Sequence, residues 1–406
     1  MMRKNRTSWV KTTVVSAGHS SLLCLGIGFF LLVALVCSAE AGEEGPTESL
    51  WEFGGYVDLG YTLDFNFPDN HQWRSKPTTP RVNELSLNIA QAYLRKPIKK
   101  VNRWGFEFGV QTGQNSKGLV GQALLGSFES DIPLVGGADV LRHFSHLNAS
   151  YLFPVNRGLR FRFGLSNSYI GYENFYAKEN FNYTRTYIAD FSPYFMFDAD
   201  VQYPVSDNLT TSFYLLNGFF HLSNPSGLPS YGARLDWKIT RKLRFRENFF
   251  WGPVQDNIDP EFWRLFFDQF LEWNKDQLTL ALAYDIGTQI DSSAEGHPRV
   301  FWMGGAFYSN WKFLRLWSVA ARPEFYWDPQ GTISGNRQLL WAITTTAKYV
   351  LPVERNNIFL WWEYRYGRST GSGGGFFKGG DVEPGVPGLA PDHHLLIWAV
   401  NWAFDS

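Results

Sequence analysis

Charged residues in this chain recur two positions apart. Arg160 and Arg162 alternate with Phe161 and Phe163, and Asp198 and Asp200 alternate with Phe197, Ala199 and Val201. Arg234, Asp236 and Lys238 make a third set, Arg244 and Arg246 a fourth, and Glu363 and Arg365 a fifth. Asp58 and Glu107 stand singly in comparable alternations. In an extended chain, residues two apart point to the same face. These sets therefore place charge on one face and apolar side chains on the other. Charges lining a wet space set its field and orient polar solutes. The competing chemistry is mutual neutralisation. The turn at 240–242 puts Lys238 opposite Arg244 and Asp236 opposite Arg246, where opposite charges would pair. Both readings stand at this stage. Glu247 departs from the pattern, since it falls on the stripe of Leu243, Phe245 and Phe249. A bulge or a position at the membrane edge would explain it.

Other chemistry finds little support. Cys24 and Cys37 are the two cysteines, and both lie in the first 41 residues. Beyond that point disulfides, thiolate metal sites and thiol nucleophiles are excluded. His143-x-x-His146 and Asp392-His393-His394 read as loop or rim histidines rather than metal ligands. The acidic residues Asp131, Asp139, Asp381 and Glu383 lack the regular spacing of a calcium loop. There is no phosphate-binding loop, nucleophile elbow or zinc helix. A hydrolase with Ser and His at its rim is the enzymatic alternative. No motif carries it, so neither an enzyme nor a cofactor is expected.

The alternation itself locates the elements. Phe195, Phe197, Ala199, Val201 and Tyr203 lead through Pro204 to Asn208 into Leu209, Thr211, Phe213 and Leu215. Pro204 cannot donate to a ladder, and Asp207-Asn208 suits a tight turn, so this is a hairpin. Its strands run about ten residues, against about 5–6 for a soluble strand. A tilted membrane-spanning strand needs about 9–11. The design repeats along the chain, giving sixteen strands. The last carries Leu396, Trp398, Val400, Trp402 and Phe404 on one face. Residues 299–327 separate their faces poorly. Connections alternate between short turns, such as 154–158 and 204–208, and longer loops, such as 113–142 and 169–193. The expected fold is all-β: a transmembrane antiparallel barrel of about 16 strands, with short periplasmic turns and long extracellular loops. A soluble barrel or sandwich is the alternative. Sixteen such strands would enclose far more space than side chains fill.

The start of the chain reads as a signal peptide over residues 1–41. Arg3, Lys4, Arg6 and Lys11 precede an apolar core, Leu22 to Val36, and Ala39-Glu40-Ala41 offers a cleavage site. A polar lead follows at 42–49, then the barrel at 50–406. Removing 1–41 leaves 33 basic and 37 acidic residues, a balance of −4. Nucleic acid is not an expected partner. Aromatic residues make up 17 % of the chain, with 17 Trp. Many sit near the ends of alternating segments, as interfacial girdles do.

Several stretches resemble a known family. They are Gly55-Tyr56-Val57-Asp58, Asn83 to Ala90, Gly171-Tyr172-Glu173 with Asn182-Tyr183-Thr184-Arg185, Tyr203 to Thr210, and Asn217-Gly218. Together they are similar to the OmpL-like β-barrel porin family. The resemblance spans most of residues 50–406. It implies a Gram-negative outer-membrane porin, integral to that membrane, through which small hydrophilic solutes and ions diffuse passively. The family offers no catalytic motif to carry over. The Gly-rich stretch 367–388 has no counterpart in it.

On this reading the partners are outer-membrane lipid, the barrel-assembly machinery and small hydrophilic solutes, and a homo-oligomer is compatible with the pattern. The pore-lining residues are Asp58, Glu107, Arg160, Arg162, Asp198, Asp200, Arg234, Asp236, Lys238, Arg244, Arg246, Glu363 and Arg365. Segment 118–141 is rich in apolar residues, including Leu119, Leu124, Leu125, Phe128 and Ile132. It either folds into the lumen and narrows it, or packs over the mouth or at a subunit interface. The rival function is a barrel plugged by its own loops that acts as a scaffold or adhesin.

Overall fold

A computed structural model of the chain describes residues 50–121, 138–224, 226–253, 259–292, 294–353, 356–383 and 385–405. The expected signal peptide lies outside these residues, as do residues 122–137 of the apolar stretch.

Among the described residues eighteen strands form in chain order. The first half holds β1 (Glu52–Asp64), β2 (Leu85–Lys96), β3 (Trp104–Thr112), β4 (Phe144–Phe153), β5 (Leu159–Asn167), β6 (Phe195–Pro204), β7 (Leu209–Leu216), β8 (Ser230–Lys238) and β9 (Leu243–Gly252). The second half holds β10 (Arg264–Lys275), β11 (Leu278–Ile290), β12 (Arg299–Trp311), β13 (Trp317–Asp328), β14 (Gln338–Val353), β15 (Asn356–Thr370), β16 (Phe376–Glu383), β17 (Val386–Ala390) and β18 (Asp392–Asp405). Sixteen of them close into one antiparallel barrel, in chain order except that β15 pairs with β18 and β18 closes on β1. β16 and β17 pair separately, as a hairpin within the connection from β15 to β18. This hairpin is the Gly-rich stretch that periodicity left without a role. Closure runs from Gly54 opposite Asp405 to Asp64 opposite Leu395. It leaves no sheet edge in hydrocarbon, where unpaired backbone groups have no partner.

Burial decides which face is which. Leu59, Phe163, Phe213, Leu282, Ile343 and Val400 are exposed, whereas Asp58, Asn248, Asp285, Thr344 and Asn401 are buried. The apolar stripes thus point outward and the polar ones inward, the reverse of a soluble barrel. Trp104, Trp237, Trp311, Trp362 and Trp402 are exposed towards the short-turn end, and Trp251, Trp327 and Trp341 towards the long-loop end. Two such girdles mark the membrane interfaces.

The poorly separated stretch has a physical cause. Pro323 sits on the outward face of β13 and has no N–H to give. Pairing with β12 runs from Met303 to Ala306, breaks, and resumes at Ser309 opposite Ala321. Bulges occur at Asp58/Leu59 against β2 and at Gly109/Val110 against β4. None occurs at Glu247, where β9 pairs without interruption on both sides. The bulge expected there is absent, and Glu247 lies mid-strand rather than at an edge.

Candidate functional site

The inner wall is built by period two, and the charged residues expected to line the pore all lie on it. They divide into two groups according to what covers them.

Two long connections turn inward and pack against the inner wall. The first, between β1 and β2, buries Trp73, Ser75, Lys76, Thr78 and Val82. The second, between β5 and β6, buries Tyr169, Phe175, Tyr183, Arg185, Tyr187 and Asp190. A one-turn helix, α1 (Tyr187–Asp190), starts at Thr186, whose hydroxyl accepts from the Ala189 amide. Lys76 bonds Asp190 directly, and its ammonium also donates to the Arg185 carbonyl at 2.8 Å. Thr78 and Tyr194 hydroxyls donate to the other Asp190 oxygen, each at 2.7 Å. Burial pushes the Lys76 ammonium well down, helped by the guanidiniums of Arg365, Arg322 and Arg185. Without Asp190 that ammonium would be an uncompensated buried charge, and such charges are costly.

Wall carboxylates hold the second connection by its backbone. Glu363 accepts from the amides of Tyr183 at 2.7 Å and Thr184 at 3.1 Å, from the Thr184 hydroxyl, and from Thr346 at 2.7 Å. Glu324 accepts from the Tyr187 amide at 2.7 Å. Asp58 accepts from the Tyr183 and Asn401 side chains, both at 2.8 Å. Arg322 bridges Glu173 on the connection to Glu324 on its own strand, at 2.8 and 3.2 Å. Arg365 reaches Glu324 at 2.6 Å. Asp58, Glu363 and Arg365 are therefore covered by residues 169–194, with no exposure above 3 %.

The charges on β5 to β9 are covered less completely, although Tyr169 stacks on Tyr214 of β7 and its hydroxyl donates to the Phe249 carbonyl of β9 at 2.8 Å. Arg162 lies across from Asp200 and binds it at 2.6 Å, and Asp198 at 3.5 Å. Arg160 binds Asp200 at 2.8 Å. Asp236 receives both Arg244 and Arg246, the latter through a bond of 2.6 Å. Lys238 sits opposite Arg244, exposed at the end of β8. Arg234 donates to Asn248 at 2.9 Å and to the Tyr169 carbonyl. Glu107 accepts from Asn148 at 3.0 Å.

Residues 114–121 form a helix, and Asn115 accepts from the Thr79 amide at 2.8 Å. This end of the apolar stretch thus packs on the first inward connection. Among the described residues, 169–194 is the longest segment packed inside the barrel.

A family model described as "Putative beta-barrel porin-2, OmpL-like" matches residues 51–400. The chain belongs to this porin family. Two solved porin-like barrels show the same fold. The "Anion-selective porin from Comamonas acidovorans" is 6% identical with a TM-score of 0.53, covering 88% of this chain and 99% of that chain. "Outer-membrane expressed OmpT of Vibrio cholerae" is 9% identical with a TM-score of 0.51, covering 89% and 100%. Identities this low speak to fold alone. No curated protein matches the sequence. This porin is an integral protein of the bacterial outer membrane and a passive channel, and its family and fold are those of a channel rather than an enzyme.

Histidines that sequence spacing raised as ligands are occupied otherwise. His393 stacks on Phe376 with ring centroids 3.7 Å apart, and His394 contacts Tyr364 at 2.7 Å on the outer face. Among the described residues no cluster of three or more ligands exists. Sequence reading passed over Arg322 and Glu324, which hold the inward segment. Their two-residue spacing was visible, but Pro323 between them blurred the faces. The stretches Gly171–Glu173 and Asn182–Arg185 were visible as family resemblance. Their role as the segment's anchors needed the wall opposite them.

Proposed function

We propose that this porin conducts through an off-centre path along β5 to β9, and that the path favours anions. The observation that carries this is a difference in exposure within most of the ion pairs, Arg246 and Asp236 alone being about equal at 17 % and 16 %. The Arg160 side chain is 32 % exposed, while its partner Asp200 is fully buried. Arg244 is 36 % exposed against 16 % for Asp236. The guanidiniums stand between the carboxylates and the lumen. Six cations, Arg160, Arg162, Arg234, Lys238, Arg244 and Arg246, stand against Asp198, Asp200 and Asp236 on these strands and Glu272 of β10, which lies across from Arg244. Neutralisation is thus incomplete in number and one-sided in geometry. A low-dielectric wall focuses such a field and raises the local anion concentration. Of the remaining pore-lining candidates, Glu107 accepts from Asn148 on the wall, and Asp58, Glu363 and Arg365 lie under residues 169–194, which narrow the lumen.

The packed half of the lumen is what favours the rival scaffold function. Planar-bilayer recording in a salt gradient decides between them. An anion-permeable channel gives discrete conductance steps and a reversal potential on the anion side. A barrel that yields no steps is plugged and acts as a scaffold. One that yields steps with a cation-side reversal potential conducts by a different path.

A further inference from the structure

Glu247 is the one carboxylate among the outward-facing residues in the strand interiors of the described barrel. It lies four residues from Trp251 of the upper girdle. It lies four residues from Leu243, which pairs with Trp273 near the lower girdle. Four strand residues span about 13 Å, so Glu247 sits near mid-depth. Directly across from it on β10 is Gln269, also facing outward. Its neighbour on the other side is Leu235, and Gln269 is followed by Tyr284 on β11. Neither Glu247 nor Gln269 has a polar partner among the described residues. Around them the outward face is apolar: Phe245, Phe249, Phe267, Leu271 and Leu282. An ionisable group placed in a membrane without a partner is costly, and such groups mark function.

We propose that this face is covered by a second copy of the same chain, in a dimer whose twofold axis runs along the membrane normal. Two porin copies inserted in the same sense can be related by such an axis without changing depth. A twofold contact is isologous, so a patch meets itself. The two residues sit on adjacent strands about 4.8 Å apart. With the axis between them, the rotation sets Glu247 of one copy against Gln269 of the other, and the reverse. Each carboxylate then accepts from the partner's amide N–H, and two hydrogen bonds close where four polar groups were exposed to lipid. The surrounding aromatic and leucine side chains supply the apolar contact. A threefold arrangement would set this pair against a different surface, where no such reciprocity exists. The inference rests on the outward face meeting lipid and not on the anion path.

The test mixes two single-cysteine copies, Glu247→Cys and Gln269→Cys, both otherwise wild type, refolded together into lipid nanodiscs or vesicles. The mature chain is expected to carry no other cysteine, so a disulfide-linked dimer reports this contact. Mild oxidation should give a crosslinked band from the mixture, at least several-fold stronger than from a control pair such as Phe213→Cys with Ile343→Cys. Wild-type protein in lipid should run as a dimer by native mass spectrometry. The double variant Glu247→Leu with Gln269→Leu should fold, by heat-modifiable migration, and shift to monomer. No crosslink, a trimer that crosslinks elsewhere, or a dimer unaffected by the double leucine variant would overturn the proposal. Co-purification of another protein or a cationic lipid in place of the second copy would do so as well.

Discussion

Arg162 on β5 and Asp200 on β6 lie directly across from one another, with Nε 2.6 Å from Oδ2. The guanidinium keeps 16 % of its side chain exposed and the carboxylate none. A salt bridge drawn as a neutral pair would hide this asymmetry. On the proposed path a solute would meet the positive member.

Replacing Arg160, Arg162, Arg244 and Arg246 with Gln should move the reversal potential toward zero selectivity, and Glu at the same sites should carry it toward cation preference. Lipid-facing arginine at mid-depth would cost about 2–4 kcal/mol each, so all four belong to the lumen. The shift should shrink at 1 M salt, where the Debye length is about 3 Å. The Gln set guards against misfolding of the Glu set beside Asp198, Asp200 and Asp236. A folded Gln variant with unchanged reversal potential would show that the ion path avoids these arginines.

The barrel was legible because period two is a strong signal over ten residues, and because alternating loop lengths fix strand direction. Which face points out was not legible from periodicity alone, since an apolar stripe serves a soluble core equally well. Among candidate site residues, pairing was readable where a short turn sets register, as for Asp236 with Arg246. The division of the wall into a covered and an open side was not readable. It depends on where residues 73–83 and 169–194 fold. Loop segments held by wall carboxylates carry no period of their own. The apolar character of 118–141 drew attention to another connection, of which residues 122–137 lie outside the described residues. The polar, aromatic segment 169–194 is the one whose amides find acceptors inside.

Residues 1–41 should be absent from the mature protein. The basic start, short apolar core and small residues at 39–41 have the order of a cleaved secretory segment. N-terminal sequencing of outer-membrane material checks this, and a mature chain starting at Met1 or Met2 refutes it.

Trp402 and Phe404 point outward from the closing strand, where Trp402 lies opposite Val57 and Phe404 opposite Gly55. Replacing both with Ser removes the girdle at the seam that joins β18 to β1. The fraction of heat-modifiable, folded barrel on gels should fall at least several-fold. An unchanged folded fraction would mean that the seam closes on backbone pairing alone.

His221, in the connection between β7 and β8, is held neutral. Burial, with the positive charge of Arg264, brings its imidazole down to about 4. An exposed histidine titrates near 6.5. A group depressed in the folded state stabilises above its unfolded value and loses that contribution as pH falls through the folded one. The connection should therefore be tightest above about pH 6.5 and loosen progressively between there and about 4. Histidine-selective NMR should show an imidazole titrating near the lower end of that window. A His221→Gln variant should abolish the acid-induced change in protease sensitivity of this loop, and a midpoint near 6.5 would contradict the burial argument.

Among the described residues Glu363 accepts more hydrogen bonds from the inward segment than any other wall carboxylate. It takes two backbone amides, from Tyr183 and Thr184, and two hydroxyls, from Thr184 and Thr346. In a Glu363→Ala variant those buried donors lose their acceptor together. Each unsatisfied buried group costs about 1–3 kcal/mol, so the segment is destabilised by several such increments. The barrel itself should persist, because Glu363 pairs with Thr346 and Ile397 through its backbone, and the substitution leaves that ladder intact. Segment and wall should then come apart while the sheet holds. Single-channel conductance should rise, with added flicker as the segment moves in and out of the path. Glu363→Gln keeps one acceptor oxygen and should give an intermediate conductance. A folded Glu363→Ala barrel with the wild-type current would mean that residues 169–194 do not border the ion path. The narrowing would then have to come from the wall itself.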